Sequence, residues 1–565
     1  METTWDYLDY YRGREFEGQW PNISQLMHIT TLRYPYNDCF QSFDKYGMLL
    51  TFKQAEDIAI RIAKVLKELG ITKHSHVAVS GKNSVQWALA FLSIMYVGAV
   101  AVPLDNTLHE NEVKNLVEFG DIDWFFGDPD RLSYVKENCT HIFSLTPNCD
   151  FATYILDLTP VNTDSTYSVY TPNDSDLAVI MFTSGTTGNP KGVMLSHENL
   201  VSCCFKTRMY ISCTVNDVFY AVLPIHHAYT FQADFMQIIS LGCKLVFGQK
   251  FIPSQIFKDV KDGGVTMFIT VPLLFNKMLK SIQNEVKKKS SIVYLFFNML
   301  LSFSGFLRDV FHINIGKKIF KGVLRKLALT NIHVCISGGG PLPVKTSRFF
   351  YCMGLNFIQG YGSTETSPIS HLNPVDAFRS KSVGKLLPTL EHKIINPDGD
   401  GNGELLVRGS TVMQGYYKNP EATKEVISDG WYNTGDVGYI DNDDYFYLTG
   451  RAKNMIVLEG GKNVFPEEIE DLFQLYTELD QVCIIDYRTD SDTDSIGIKL
   501  LAYPSDIFRQ KYKNNMNDLE KDVWKMVYEV NKQLQSYKKI TALEILNEPL
   551  KTTSTRKIKR SYIKR

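Results

Sequence analysis

TSGTTGNPKG, Thr183 to Gly192, sets hydroxyls at Thr183, Ser184, Thr186 and Thr187, glycines at Gly185, Gly188 and Gly192, and an ammonium at Lys191 within ten positions. The glycines let the backbone turn tightly and aim N–H groups inward, while the hydroxyls and the mobile cation add donors, a combination suited to a polyanion such as phosphate. An apolar run, Leu177 to Phe182, leads into the loop and reads as a buried parallel strand. Ser196, His197 and Glu198 beyond it can open a helix, so strand, loop and helix is the expected context. The loop is not of the Walker type, which needs glycine before the lysine and Ser or Thr after it; Lys191 lies between Pro190 and Gly192.

Outward from this loop the chain is long and nearly neutral. Its 565 residues exceed what one core usually supports, so two or more domains are expected. Lys and Arg number 60 against 62 Asp and Glu, a formal charge of -2, so no global field recruits nucleic acid and none is expected as a partner. The ten cysteines show no C-x-x-C spacing, which suits free thiols in a reducing compartment. METTWDYLDYYRGREFEG at the N-terminus has neither a basic start nor an apolar core and does not read as a secretory signal. The expected location is the cytoplasm. No uninterrupted apolar run reaches the ~18 residues of a spanning helix. The nearest, Ile292 to Phe311, is broken by Asn298, Arg308, Asp309 and several serines, and reads as either a buried or an interfacial helix.

Thr51 and Gln54 form a capping box ahead of apolar residues at Ala55, Ile58, Ala59, Ile62, Leu66 and Leu69, with Gly70 as a stop, which predicts an amphipathic helix. His76 to Ser80, a helical stretch through Trp87 to Met95, and Ala99 to Val102 then compose a βαβ unit. The alternation recurs around Val218 to Leu223, Lys244 to Phe247, Met267 to Val271, Val334 to Ile336 and Leu355 to Ile358. The fold class is therefore α/β, with mixed, mainly parallel sheets and helices. After about residue 375, turn-rich segments such as PDGDGNGELLVRG and DNDDYFYLTGR predict an antiparallel, barrel-like portion. From about Lys453 charged helices and two strands, Val482 to Ile485 and Ile498 to Tyr503, predict a small α+β domain. The division is 1–452 for the large domain and 453–565 for the small one.

With SGGGPLP (Ser337 to Pro343), QGYGSTET (Gln359 to Thr366), YNTGDVG (Tyr432 to Gly438), TGRAKNMI (Thr449 to Ile456) and PLKTTSTRKIKR (Pro549 to Arg560) following in order, the chain resembles the AMP-forming, adenylate-forming enzymes: acyl- and aryl-CoA synthetases, luciferases and peptide-synthetase adenylation domains. The order of motifs, running from about Leu50 to the C-terminus, is more specific than any one of them. The resemblance implies that Thr183, Ser184, Gly185, Thr186, Thr187, Gly188 and Lys191 hold the phosphates of ATP. It further implies that Gly338, Gly339 and Gly340 line the adenine pocket and the acyl entrance, with Gly340 replacing the usual alanine. Tyr361, with Gly362 and Ser363, would pack on adenine, Thr364 would contact the α-phosphate, and Glu365 would hold Mg2+. That agrees with the preference of a hard divalent ion for carboxylate oxygen. Asp436 and Arg451 match the ribose partners, Lys453 the hinge about which a mobile small domain rotates, and Lys557 the catalytic lysine, with Arg556 in place of the customary glycine. In LPIHHAY, Leu223 to Tyr229, His227 aligns with the histidine beside the acyl carbonyl. It is not assigned as a base, because a carboxylate is ionised at neutral pH.

The implied activity joins a fatty acid to CoA through an acyl-AMP intermediate, with ATP, Mg2+ and CoA required. The long stretch between Pro272 and Ser337 resembles the long-chain fatty acyl-CoA synthetase branch, and Phe231 falls where that branch keeps an aromatic gate to its acyl tunnel. Two other readings stay open: an acyl-AMP ligase or acyl-carrier synthetase with a separate carrier protein as acceptor, and a catalytically silent nucleotide- or acyl-CoA-binding protein. Lysines 287–289, 317, 318 and 321 flank Ile292 to Phe311 and suit docking on an anionic bilayer, which would make the location peripheral on the inner face of a membrane.

Overall fold

Thr51 starts the first long helix through its side chain. Its Oγ1 accepts from the Gln54 N–H, Gln54 Oε1 accepts from the Thr51 N–H at 2.9 Å, and Phe52–Glu68 follows, burying Phe52, Ala55, Ala59, Ile62 and Leu66. The next helix, Val85–Val97, is apolar all round and buried along its whole length, as a helix inside a large body must be. Gly98, at φ +76°, closes it and turns the chain into the strand Val100–Pro103. That strand lies parallel to His76–Ser80, as the βαβ reading predicts.

The computed structural model describes residues 3–44, 47–161, 173–183, 190–248, 250–459, 461–488, 496–512, 515–552 and 558–563. Five sheets organise them. In the eight-stranded sheet, Val100–Pro103, His76–Ser80, Ile122–Gly127, His141–Ser144 and Thr153–Tyr154 are parallel, and Leu177–Thr183 joins Val100–Pro103 on the other side. A ten-stranded sheet begins with three parallel strands, Met267–Thr270, Val334–Ser337 and Asn356–Tyr361. It continues into antiparallel strands from His371–Leu372 through Tyr445–Arg451, Trp431–Ile440 and Gly403–Arg408 to Glu391–Ile395. The turn-rich region is antiparallel, as expected, and its strands pair in a path that continues the parallel sheet. A four-stranded sheet contains Val218–Ala221 and Lys244–Phe247 beside Asp38–Ser42 and Leu49–Thr51.

The final segment has a core of its own. Ile456, Val464, Ile469, Ile484, Leu500, Val523, Val527 and Ile540 belong to one cluster with no member before residue 456. Its two predicted strands are longer than the sequence indicates, Leu479–Arg488 and Ile496–Pro504, paired antiparallel, with Ala542–Ile545 added in parallel.

One local expectation is overturned. The chain does not pass from the glycine-rich loop into a helix: Lys191–Ser196 is a strand, antiparallel to Leu177–Thr183, with Thr183 opposite Lys191. The segment 184–189 between these two strands lies outside the described residues. Ser196 caps the helix His197–Arg208 one strand later, so the helix N-terminus is not the loop's anion-binding element. Alternation explains the result, because Val193 and Leu195 continue the buried sheet face before Ser196 offers a cap. All ten cysteines are free thiols.

Candidate active site

Lys191, Gly338, Tyr361, Thr364, Glu365, Asp436 and Arg451, singled out by the sequence, line one cavity of about 2880 Å³ whose lining runs from Gly81 to Ile563. The paired strands Leu177–Thr183 and Lys191–Ser196 contribute Thr183 and Lys191; Ser184 to Asn189 lie outside the described residues. The short strand Gly415–Tyr416 pairs along Lys191–Ser196 and carries Tyr416 to the site. There the Lys191 ammonium lies 4.7 Å from the centroid of the Tyr416 ring, and the Tyr416 hydroxyl donates to Glu365 Oε1 at 2.8 Å. Burial, then the Glu365 carboxylate, raise the Tyr416 phenol far above its usual range, so it remains a donor. Glu365 lies on a single 3-10 turn, Thr364–Thr366, where the Ser363 N–H donates to Thr366 Oγ1 and the Thr366 N–H to the Ser363 carbonyl, while the Met413 N–H donates to the Glu365 carbonyl.

A second cluster forms where three strands meet. Asp436 and Arg451 are direct partners across antiparallel strands, and Arg451 Nε reaches Asp436 Oδ1 at 2.7 Å. The Tyr361 hydroxyl, at the end of Asn356–Tyr361, donates to Asp436 Oδ2 at 2.6 Å. Asp436 raises the already high Arg451 guanidinium. The side chain of Asp436 is largely buried while Arg451 is open to the cavity. Lys453 follows on the 3-10 turn Ala452–Asn454, its ammonium lowered by burial and then by Arg451.

Gly338, Gly339 and Gly340 follow the strand Val334–Ser337 and also line the cavity. A Cβ on Gly338 would come within 2.6 Å of the Tyr229 ring, so glycine is required there; Gly339 has φ +79°. At Gly340 the nearest atom to a Cβ would be Pro272 Cγ at 4.0 Å. The usual alanine would therefore fit, and its absence widens the cavity without changing the backbone.

His227 lines the cavity, its ring centroid 4.3 Å from that of His226. His226 Nε2 lies 3.5 Å from Asp105 Oδ1, and a ligand atom of His227 lies within 4.8 Å of both. Burial alone would raise the Asp105 carboxyl, but His226 and the Thr107 hydroxyl and N–H outweigh it and hold it far below the usual carboxylate range. Asn83 pins the turn: its Nδ2 donates to the Ala221 and Leu223 carbonyls, and its Oδ1 accepts from the Ile225 N–H.

Phe231 does not stand at the tunnel. It is fully buried against Trp87, Phe91 and Phe235, and Thr230, Ala233 and Gln237 line the cavity instead. Lys557 and Arg556 lie outside the described residues. On either side of them, Thr552 bridges Ile558, and both line the cavity. Arg560 then anchors the tail on Glu470 and on the Ile484 carbonyl. Glu467, Glu470 and Asp471 of the helix Pro466–Asp471 also line the cavity. Burial pushes the Asp471 carboxyl up to about 7, against the Gln474 hydrogen bond and with help from Glu470.

Sequence reasoning missed Asp105, Tyr229 and Tyr416. Tyr229 falls inside a motif that was quoted; Asp105, after VPL, had only the local turn to Thr107 to mark it, and Tyr416, in QGYY, finds Glu365 and Lys191 only through the fold.

A family model described as AMP-binding enzyme matches residues 32–417. The chain belongs to the AMP-binding enzyme family. Its similarity to individual relatives is lower. A chloroplastic long-chain-fatty-acid–[acyl-carrier-protein] ligase of Arabidopsis thaliana is 28% identical over an alignment of 550 positions, covering 83% of this chain and 75% of that protein. The long-chain-fatty-acid–CoA ligase ACSBG2 of Rattus norvegicus is 28% identical over 461 positions, covering 75% and 68%. Among solved structures, the anthranilate CoA ligase AuaEII in complex with anthranoyl-AMP aligns at TM-score 0.75 and 18% identity, over 96% of each chain. ATP-bound MatB from Rhodopseudomonas palustris aligns at 0.74 and 22%, over 95% and 97%. At those identities the likeness is one of fold, and the fold of this AMP-binding enzyme is that of the adenylate-forming enzymes: a large α/β N-terminal part and a smaller C-terminal one.

Proposed function

We propose that this AMP-binding enzyme activates a long-chain fatty acid with ATP, releasing pyrophosphate, and transfers the acyl group from acyl-AMP to CoA. The observation that carries the reading is the meeting of Lys191, Tyr416 and Glu365 with Tyr361, Asp436 and Arg451 on one cavity that also takes in His227, Thr552 and Ile558.

In the first half-reaction a carboxylate oxygen of the acid attacks the α-phosphorus and the bond to pyrophosphate breaks. No general base is needed, and the work is positioning and charge neutralisation. Lys191 and the glycine-rich loop take the phosphates, Thr364 the α-phosphate, Tyr361 the adenine face, and Asp436, held in place by Arg451, the ribose hydroxyls. Glu365 fits a Mg2+ ion: a carboxylate oxygen, oriented by the Tyr416 hydroxyl and beside the Thr364 hydroxyl, suits a hard ion that takes most of its ligands from phosphate and water. When bound, Mg2+ supplies Lewis-acid neutralisation of the phosphate charge. Lys557 adds a further cation during this step. In the second half-reaction a thiol attacks the acyl carbon and AMP leaves; the part after residue 452, which has its own core, turns about Lys453 and withdraws Lys557. His227 and the His226–Asp105 pair shape the acyl end.

The fatty acid assignment is supported by the names of the relatives and by apolar lining at Met181, Ile211, Phe219, Val222 and Leu223. A carrier protein in place of CoA is the second reading, favoured by the Arabidopsis relative, which covers 83% of the chain. The test is acid-dependent exchange of pyrophosphate into ATP from acetate to stearate, followed by thioester formation with CoA or with a phosphopantetheinylated carrier protein. Exchange that peaks with long-chain acids and a CoA thioester are expected. Exchange best supported by acetate would remove the substrate assignment, and transfer to carrier protein alone would select the second reading.

A further inference from the structure

The helix Ser291–Phe311 is built inside out. Its buried stripe holds Phe297, Leu301, Ser304 and Gly305, and its small residues let it press closely on the helix Val344–Cys352. Ser304 Oγ donates to the Cys352 carbonyl at 2.7 Å, and a Cβ on Gly305 would lie 2.6 Å from Cys352 Sγ. Arg308 donates to the Tyr351 and Leu355 carbonyls at 2.8 and 2.9 Å. The large side chains point the other way. Ile292 is 78% exposed and Leu295 72%, and Phe296, Met299, Phe303, Phe306, Val310 and Phe311 are each more than half exposed. Their spacing of three, four and seven residues puts most of them on one face. Burial in the large domain, one of the two readings open from sequence, does not occur.

A contiguous apolar face of this size implies an occupant. The surrounding charge says which. Residues 285–326 carry nine Lys and Arg against two acids, Glu285 and Asp309, in a chain whose net charge is -2. Lys287, Lys288 and Lys289 are exposed just before the helix, and Lys318, Lys321 and Lys326 just after it. A symmetric contact with a second copy would set this cationic rim against itself. We propose that Ser291–Phe311 lies flat on an anionic lipid bilayer, its aromatic face in the headgroup boundary and its lysines on the lipid phosphates. The helix is long and apolar enough to cross a membrane, but its hydrogen bonds to residues 351, 352 and 355 tie it to the folded body. It docks without spanning. The neighbouring helix Pro272–Lys289 carries the lysine triplet at its end, while Pro272, Leu273, Asn276, Lys277 and Lys280 line the cavity, so docking places the bilayer beside the substrate site. On the function proposed above, a water-insoluble acid then reaches the site from lipid; the docking itself does not depend on that function.

The experiment is co-sedimentation of the full chain with vesicles of phosphatidylcholine alone or with ~30% phosphatidylglycerol, for the wild type, Leu295→Ser/Phe303→Ser and Lys287→Gln/Lys288→Gln/Lys289→Gln. Both variants change only exposed side chains, and a thermal unfolding midpoint checks their fold. Expected are binding to anionic vesicles that weakens as salt rises, and at least ~10-fold weaker binding for either variant. Release by alkaline carbonate is also expected, as for a peripheral protein. Recovery of the wild type in the supernatant, equal binding to neutral vesicles, or resistance to carbonate would each overturn the proposal. So would a dimer seen by sedimentation velocity that dissociates in Leu295→Ser/Phe303→Ser while no vesicle binding occurs.

Discussion

Asp436 has its two carboxylate oxygens addressed by different groups, the Tyr361 hydroxyl and the Arg451 guanidinium, from two other strands. Asp436→Ala removes the anion around which the cluster is organised. A charged hydrogen bond of about 1.5–3 kcal/mol corresponds to a KM for ATP raised by ~10–100-fold in pyrophosphate exchange, with the fold retained. An unchanged KM would place the nucleotide elsewhere. Lys557→Ala should slow adenylation by at least ~100-fold, the scale of one preorganised charge lost from a transition state. Thioester formation from supplied acyl-AMP should survive, and equal loss of both steps would remove the assignment. At this scale the site was partly legible. Asp436, Glu365 and Lys191 were readable because each is a charged group inside a glycine-rich motif. Tyr416 was not, since its partners Lys191 and Glu365 are 225 and 51 positions away and strand pairing alone brings them to it.

The glycine turn after Val334–Ser337 gives a sharp test among the elements. Gly338→Ala would set a methyl group against the Tyr229 ring and should lower exchange activity by ~10-fold or more, whereas Gly340→Ala should stay within about twofold of wild type. Activity assays of the purified pair decide it, and equal losses would mean that the turn is not held against Tyr229. Lys453→Pro, on the 3-10 turn Ala452–Asn454, should spare adenylation and impair thioester formation, because proline fixes φ where the two parts turn about each other. Normal overall turnover would place the pivot elsewhere. Element type was legible wherever period and cap agreed, as at Thr51 and Gln54. The strand Lys191–Ser196 was misread because it takes in the last two residues of the motif and the helix cap Ser196 itself, and its six residues are too few to show a period of their own.

Across the whole molecule, His197 links the large body to pH. It is fully buried, its Nδ1 accepts from the Ile23 N–H at 3.2 Å, and burial lowers its imidazole to about 3. The unfolded chain therefore binds a proton that the folded one refuses between about pH 6.5 and 3. The stability is intact above 6.5 and is lost as pH falls through that window. Between pH 7 and 5 the loss is about 2 kcal/mol from this group alone. Thermal unfolding at the two pH values should show a smaller difference for His197→Asn, which keeps an acceptor; an equal difference would mean that another group controls acid stability. The α/β class, the order of the motifs and the chemistry of each loop were determined by the sequence itself, because glycine freedom, charge, caps and alternation act over a few residues. Only the tertiary structure decided that Phe231 is core, that the strands Leu177–Thr183 and Lys191–Ser196 pair antiparallel, that His226 and His227 gather at Asp105, and that Ser291–Phe311 turns its aromatic residues outward. Burial and pairing belong to neighbours distant along the chain, and a helix's own period names two faces without saying which one the rest of the molecule will cover.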